Sequence, residues 1–466
     1  MNNMSESKNK NIEMITGDPK KAIVKLAVPM MVSMLLIMLY NIADSIWVAG
    51  LGADALAAIG FITPLFMVLV GLGNGIGAGA NSLIARYIGA ENYKQANNAA
   101  LHGIVLSIIV SLIFTVLIEV FMVQILQFMG AGDTIGYAME YSYKIFGFLI
   151  IFVYSGVASA IFRSEGDMRR ATIAIAVTAI LNIILDPIFI YVLNLGISGA
   201  AWATIISAII SCIVMSYWMW GKKDLYLDLS PKNFNYQGSM MLDTLQVAIP
   251  STLETIIFSA LAIIINSMLV LAAGTTAVAV YTASMRIVQL AMIPLIGIGT
   301  AVLTVSGVAY GAHNHENLKT AHSYSIKIGF IISIVIGILM FVFSSQLAAM
   351  FSYTEASAAL SPEIATAISV LSLFVLAIPH GIMSSMMFQG VGKGIYSLLI
   401  TLLRSLILES VFAYIFCFIF GWGLPGIYGG VVFGCFVGGT IGYIWAKLFI
   451  RKFKEISIKK YQKGSQ

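Results

Sequence analysis

Residues 39–52 read LYNIADSIWVAGLG, and Asp44 sits there inside an apolar run that starts near Ala22 and ends near Gly50. At 1.5 Å of rise per residue, such a run crosses the roughly 30 Å hydrocarbon core of a bilayer as a helix. A carboxylate within it costs about 2.5–3.5 kcal/mol on insertion scales, so it belongs beside a cavity or an ion path. Another turn and a half of apolar helix lies beyond Asp44, which places it about 9 Å inside the span.

Working outward, the 466 residues are 59% hydrophobic and only 10% charged. A soluble domain carries about 25% charged residues, so the chain reads as a polytopic membrane protein. Successive apolar runs give about twelve spans, leaving no room for a soluble domain. The polar first twenty residues lack a small-residue cleavage site, so no signal peptide is expected. Cys212, Cys417 and Cys435 fall in apolar runs and read as packing residues. The net charge of +5 is a membrane-orientation signal and not a nucleic-acid one.

Spans one to six are expected at roughly 22–50, 57–84, 99–129, 141–162, 171–193 and 197–220. A polar stretch, GKKDLYLDLSPKNFNYQGS at 221–239, reads as a linker. Spans seven to twelve follow at roughly 245–272, 277–309, 321–344, 364–389, 396–420 and 426–449. The expected organisation is therefore an N-terminal tail (1–21), a six-helix bundle (22–220), a linker (221–244), a second bundle (245–450) and a basic tail (451–466). With the N-terminus inside, all of the 26 Lys and Arg except Lys144, Arg286 and Arg404 fall on the inner side. Asp54, Asp133, Glu140, Glu355 and Glu363 fall on the outer side. The positive-inside rule then places both termini in the cytoplasm.

The halves repeat. YIGAEN at 87–92 matches AYGAHN at 309–314, and the same offset of 222 carries Gly75 to Gly297. DPIFIY at 186–191 is read against ESVFAY at 409–414, and GISGA at 196–200 against GIYGG at 426–430. An even number of spans per half makes the repeats parallel, with a cleft between them. The fold class expected is thus an all-α membrane protein of two pseudo-symmetric six-helix bundles, V-shaped about a central cleft.

Depth along the spans links several polar residues. Asp186 lies some seven residues from the outer end of span five, with Asn182 one turn below on the same face. Thr204 reaches a similar depth in span six, and Tyr141 begins span four at the same side. Two carboxylates in a low-dielectric pocket hold protons or capture a cation such as Na⁺, because two bare charges repel. The 222-residue offset carries Asp44 to Asn266, so the matching place in the second half is neutral. The second bundle has its own membrane charges in Glu254, Glu409, Arg286 and Arg404, and His380 lies well inside span ten. These read equally as mutual charge pairs or as a substrate or proton site. Glu119 has no partner legible in sequence. Pro29 and Pro187 remove helix hydrogen bonds and permit bending. GLGNGIGAGANS at 71–82 lacks the strand and Lys-Ser/Thr of a phosphate loop, and its glycines four apart read as a helix-packing stripe. His313 and His315 read as solvated loop histidines.

Several segments together resemble the multidrug and toxin extrusion (MATE) antiporters: AVPMMVSMLLIMLYNIADSIWVAGLG with the following ALAAIG, ARYIGAEN, RSEGDMRRA, and LNIILDPIFIY with LGISGAAWAT. The resemblance spans essentially the whole chain. It implies a V-shaped twelve-helix exporter driven by H⁺ or Na⁺ that expels mostly cationic amphiphilic drugs. It also implies coupling acids at Asp44 and Asp186, supporting polar groups at Asn182, Thr204 and Tyr141, and a bending proline at Pro29. Glu254 fits loosely the Glu in span seven that other members use; span ten lacks the carboxylate of that second scheme.

The expected function is secondary antiport at the cell membrane by a monomer in the lipid bilayer, with small organic cations as substrates and no cofactor beyond the coupling ion. A lipid-linked precursor flippase of the same superfamily would want a basic cavity, which only Arg286 and Arg404 offer. An ion channel would need a continuous polar pore. No nucleophile–base set or metal-ligand spacing suggests an enzyme.

Overall fold

The computed structural model describes residues 10–129, 132–222, 225–351 and 358–464. Glu355 lies outside these, as do the side chains of Asp54 and Asp133. No strand occurs among the described residues. Ten helices are long and apolar enough to cross a membrane, and two bent pairs bring the spans to twelve.

The chain divides into two compact units. Unit 1 comprises Pro29–Thr252 with the segment ending at Asp18, and unit 2 comprises Pro19–Val28 with the chain from Leu253 onward. The divisions after Val28 and after Thr252 fall within two helices. The first seven helices are α1 (10–16), α2 (Pro19–Ala49), α3 (Ala53–Gly89), α4 (Tyr93–Phe128), α5 (Ile135–Gly147), α6 (Leu149–Ser164) and α7 (Met168–Pro187). Next come α8 (Gly196–Ser216), α9 (Gly238–Ala273), α10 (Thr275–Gly311), α11 (His315–Val342) and α12 (Ser344–Ala349). The last five are α13 (Ser361–Ala377), α14 (Pro379–Gly390), α15 (Gly394–Thr401), α16 (Ser410–Tyr414) and α17 (Gly423–Gly464). Span four is broken at Phe148, where α5 and α6 meet at 48°. Glu119 of α4 lies against this break, and a Cβ at Gly147 would stand 3.5 Å from its Oε1. Span ten is broken at Ile378 by 42°, where the Pro379 ring has no N–H to continue the helix. The expected tail from 451 continues α17 as far as Gly464.

Repeat symmetry holds at the first register. α3 and α10 are both 37 residues long at an offset of 222. Each is followed by an Asn whose side chain caps the next helix, Asn92 accepting from Gln95 N and Asn314 from Asn317 N. The later register differs from the sequence expectation. Five-residue π turns at Ile188–Val192 and Ile415–Ile419 set an offset of 227. Gly196 and Gly423 both adopt positive φ, 56° and 62°, a backbone state nearly reserved for glycine. Gly199 and Gly426 then press on the backbone at Phe189 and Phe416. GISGA therefore corresponds to GLPGI at 423–427 and not to GIYGG. Asp186 corresponds to Ala413, and Glu409 to Asn182. Matching letters alone missed this, because close backbone approach fixes the glycines, not the residues between them.

The polar linker is docked. Leu225, Leu227 and Leu229 are buried at alternate positions, the period of an extended strand-like segment. Asn98 of α4 holds the backbone of Asn235 on both sides, accepting from its N at 3.0 Å and donating to its O at 2.8 Å. His102 accepts from Gln237 N at 3.0 Å through Nε2, so Nδ1 carries the proton that reaches Asn98 O at 2.8 Å. The Glu165 carboxylate, between α6 and α7, accepts from the N–H groups of Tyr226 and Leu227 at 3.1 and 3.3 Å.

Burial pushes the Glu165 carboxyl up to about 8, against the opposing pull of those two N–H groups. An acid whose folded value is raised stabilises fully below its unfolded value, and loses that contribution as pH climbs through the folded one. Docking of the linker is therefore expected to weaken from about pH 4.5 to about pH 8. Limited proteolysis within 225–237 checks this. Cleavage should accelerate between about pH 4.5 and about pH 8, and Glu165→Gln should flatten the dependence; a wild-type profile as flat as the variant's refutes it.

Candidate functional site

Four elements of unit 1 converge on a polar pocket. Asn182 and Asp186 sit four apart on one face of α7, Asn182 1% exposed and Asp186 fully buried. Asn182 Nδ2 donates to Asp186 Oδ1 at 3.1 Å and to Thr204 Oγ1 at 3.2 Å. Thr204 arrives on α8 because Gly199 lets that helix close on the backbone of the π turn after α7, and its hydroxyl donates to Ala200 O at 3.0 Å. Tyr141 of α5 is buried and lies within reach of Thr204, Asp44, Asp186 and Tyr40. Asp44 of α2 is half-buried and its charge acts on Asp186. All five expected residues thus meet in one place.

The donor and acceptor balance is one-sided. Asp44 Oδ1, Asn182 Oδ1 and Asp186 Oδ2 are buried and have no hydrogen-bond partner. Burying acceptors without donors costs about 1–3 kcal/mol each, and a proton or a hard monovalent cation supplies what they lack. Oxygen donors from two carboxylates and an amide fit either.

Two ties hold α2 against α7 on either side of the acids. Toward one end, Thr172 Oγ1 donates to Pro29 O at 3.1 Å, and Ser33 Oγ lies 3.0 Å from both. Toward the other, Tyr191 Oη donates to Trp47 O at 2.5 Å across the wide turn after Pro187. α2 runs unbroken through Pro29. Sequence reasoning missed Ser33, Tyr40, Thr172 and Tyr191. Tyr40 lies one helical turn from Asp44, a spacing that could have flagged it.

The glycine stripe of α3 serves packing. A Cβ at Gly75 would stand 2.7 Å from Ala248 O, and one at Gly79 would stand against Thr244 O, both on the first turns of α9. Gly73 and Gly77 face α6 in the same way.

In unit 2, Glu254 accepts from Gln389 Nε2 at 3.3 Å to each oxygen and from Ser397 Oγ at 2.6 Å. Arg404 and Glu409 are buried nearby. His380 Nε2 lies 3.2 Å from both Phe436 O and Thr440 Oγ1. Arg286 does not join them and is exposed on α10. His315 Nδ1 faces Glu316 at 3.3 Å, and His313 stacks on Phe453.

A multi-pass helical membrane protein with duplicated bundles and two acids held inside one of them is, as a class, a transporter. Residues 29–188 and 250–415 match the family model MatE, one copy for each repeat. The chain is 27% identical over 391 residues to the probable multidrug resistance protein NorM of Thermotoga maritima, covering 82% of each. A solved MATE structure in the straight conformation matches with TM-score 0.93 and 37% identity, covering 96% of this chain and 99% of that one. Another, in the bent conformation, matches with TM-score 0.92 and 38% identity at the same coverage. The chain belongs to the MatE family of multidrug efflux transporters.

Proposed function

We propose that this transporter sits in the cell membrane with both termini in the cytoplasm and, as a monomer, exports cationic amphiphilic compounds in exchange for H⁺ or Na⁺ bound in unit 1. The observation that carries the reading is the set of three partnerless acceptor oxygens on Asp44, Asn182 and Asp186. An ion entering from outside satisfies them and draws α2 and α7 together. The turn around Pro29 then yields, because its ring has already removed one backbone hydrogen bond. Ser33 and Thr172 hold the Pro29 carbonyl in the meantime, so the bend has a defined resting state. Similar structures described as MATE in the straight and in the bent conformation support a transporter with two conformations. Exchange of two ions for one monovalent drug moves one net charge. That is worth about 2.3 kcal/mol per 100 mV, or about fifty-fold in concentration.

The reading is tested in proteoliposomes loaded with a fluorescent organic cation, with a pH gradient and a Na⁺ gradient imposed separately. One of the two gradients should drive the dye against its concentration. Dye movement indifferent to both would end the assignment, and ionic conductance without counter-transport would identify a channel.

A further inference from the structure

Unit 2 holds a second set of buried charges that the pocket in unit 1 does not use. Glu254, Arg404 and Glu409 are 8, 6 and 2% exposed. Side chains five apart on an α-helix diverge by about 140° at 3.6 residues per turn. Residues 402–409 are wound instead as a π-helix, in which positions i and i+5 are hydrogen-bonded partners and stack. Arg404 and Glu409 therefore share a face. Glycines make room for the guanidinium: a Cβ at Gly381 would stand 3.3 Å from Arg404 Cδ and Nη1, and one at Gly438 only 2.7 Å from Arg404 Cβ.

The positive charge of Arg404 reaches both Glu254 and Glu409. Glu254 also receives Gln389 and Ser397, so both of its oxygens have donors. Unit 1 differs: Asp44 and Asp186 each keep one partnerless oxygen, and among the described residues no Lys or Arg acts on either, whereas in unit 2 it is the Arg404 Nε that lacks a partner. The corrected register sharpens the comparison, because Glu409 occupies the place of Asn182.

We propose that Arg404 is the resident cation of unit 2. Its tethered guanidinium, buried on the face it shares with Glu409 and within electrostatic reach of Glu254, supplies the positive charge that an exchangeable ion supplies in unit 1. Glu254 and Glu409 are thereby kept out of ion exchange, and the number of ions per transport cycle is set by unit 1 alone. This rests on the reading of unit 1 given above.

The test counts cations bound by the purified full chain, using radioactive Na⁺ for sodium and an indicator dye for protons. Asp44→Asn with Asp186→Asn should bind neither. Adding Arg404→Gln to that pair should create one new cation site, and further Glu254→Gln with Glu409→Gln should remove it. A monodisperse Arg404→Gln triple variant that binds no cation overturns the proposal. Glu254→Gln in the otherwise native chain needs no change at Arg404: it should leave the bound-ion count unchanged, and a drop by one overturns the proposal as well. Binding that survives Asp44→Asn with Asp186→Asn goes against the unit 1 reading. If that residual binding then disappears with Glu254→Gln and Glu409→Gln, the Arg404 proposal falls with it; if it persists, those two acids remain outside ion exchange and only the unit 1 reading fails.

Discussion

Asp186→Asn is expected to reduce gradient-driven export more than tenfold while leaving the protein inserted and folded. The replacement is nearly isosteric, and its amide oxygen still accepts from Asn182 Nδ2, now 3.1 Å from Asp186 Oδ1. What it removes is charge. A hydrogen bond or ion contact to a charged group is worth about 1.5–3 kcal/mol, and each 1.4 kcal/mol is tenfold in affinity. Asp44→Asn should behave alike, because Asp44 Oδ1 is another of the partnerless acceptors. Both variants are measured in the same proteoliposomes and by drug resistance in whole cells. Wild-type export by either would sink the coupling assignment.

Gly79→Ala should lower the melting temperature by several degrees, whereas Gly60→Ala should leave it unchanged. A Cβ at Gly79 meets the carbonyl oxygen of Thr244 on α9, and neither helix backbone moves cheaply. Overpacking of this kind costs about 1–3 kcal/mol. A Cβ at Gly60 meets nothing within 4 Å, so the same chemical change on the same helix provides the control. Equal melting temperatures would mean that the stripe is not what holds the start of α9 in unit 1.

Much of this molecule was legible from residue order. Lipid offers no partner for a backbone N–H, so an apolar run of adequate length has to be helical; that alone yields the twelve-span count. Asp44 stood out because the solvent penalises it, and Asn182 with Asp186 because helical spacing puts them on one face. The first repeat register was visible in YIGAEN and AYGAHN. The second register was not, since it depends on which glycines the neighbouring backbone touches. The break at Phe148 carries no proline to announce it.

Tertiary structure alone decided three things. It tied α2 to α7 and to the turn after it through Ser33, Thr172 and Tyr191. It wound 402–409 into a π-helix that turns Arg404 toward Glu409. It laid the polar linker along α4 through buried leucines. Sequence fixes which groups must avoid lipid, because that cost is a property of each residue. Which of those groups satisfy one another is a property of distances between helices, and those exist only once the chain has packed.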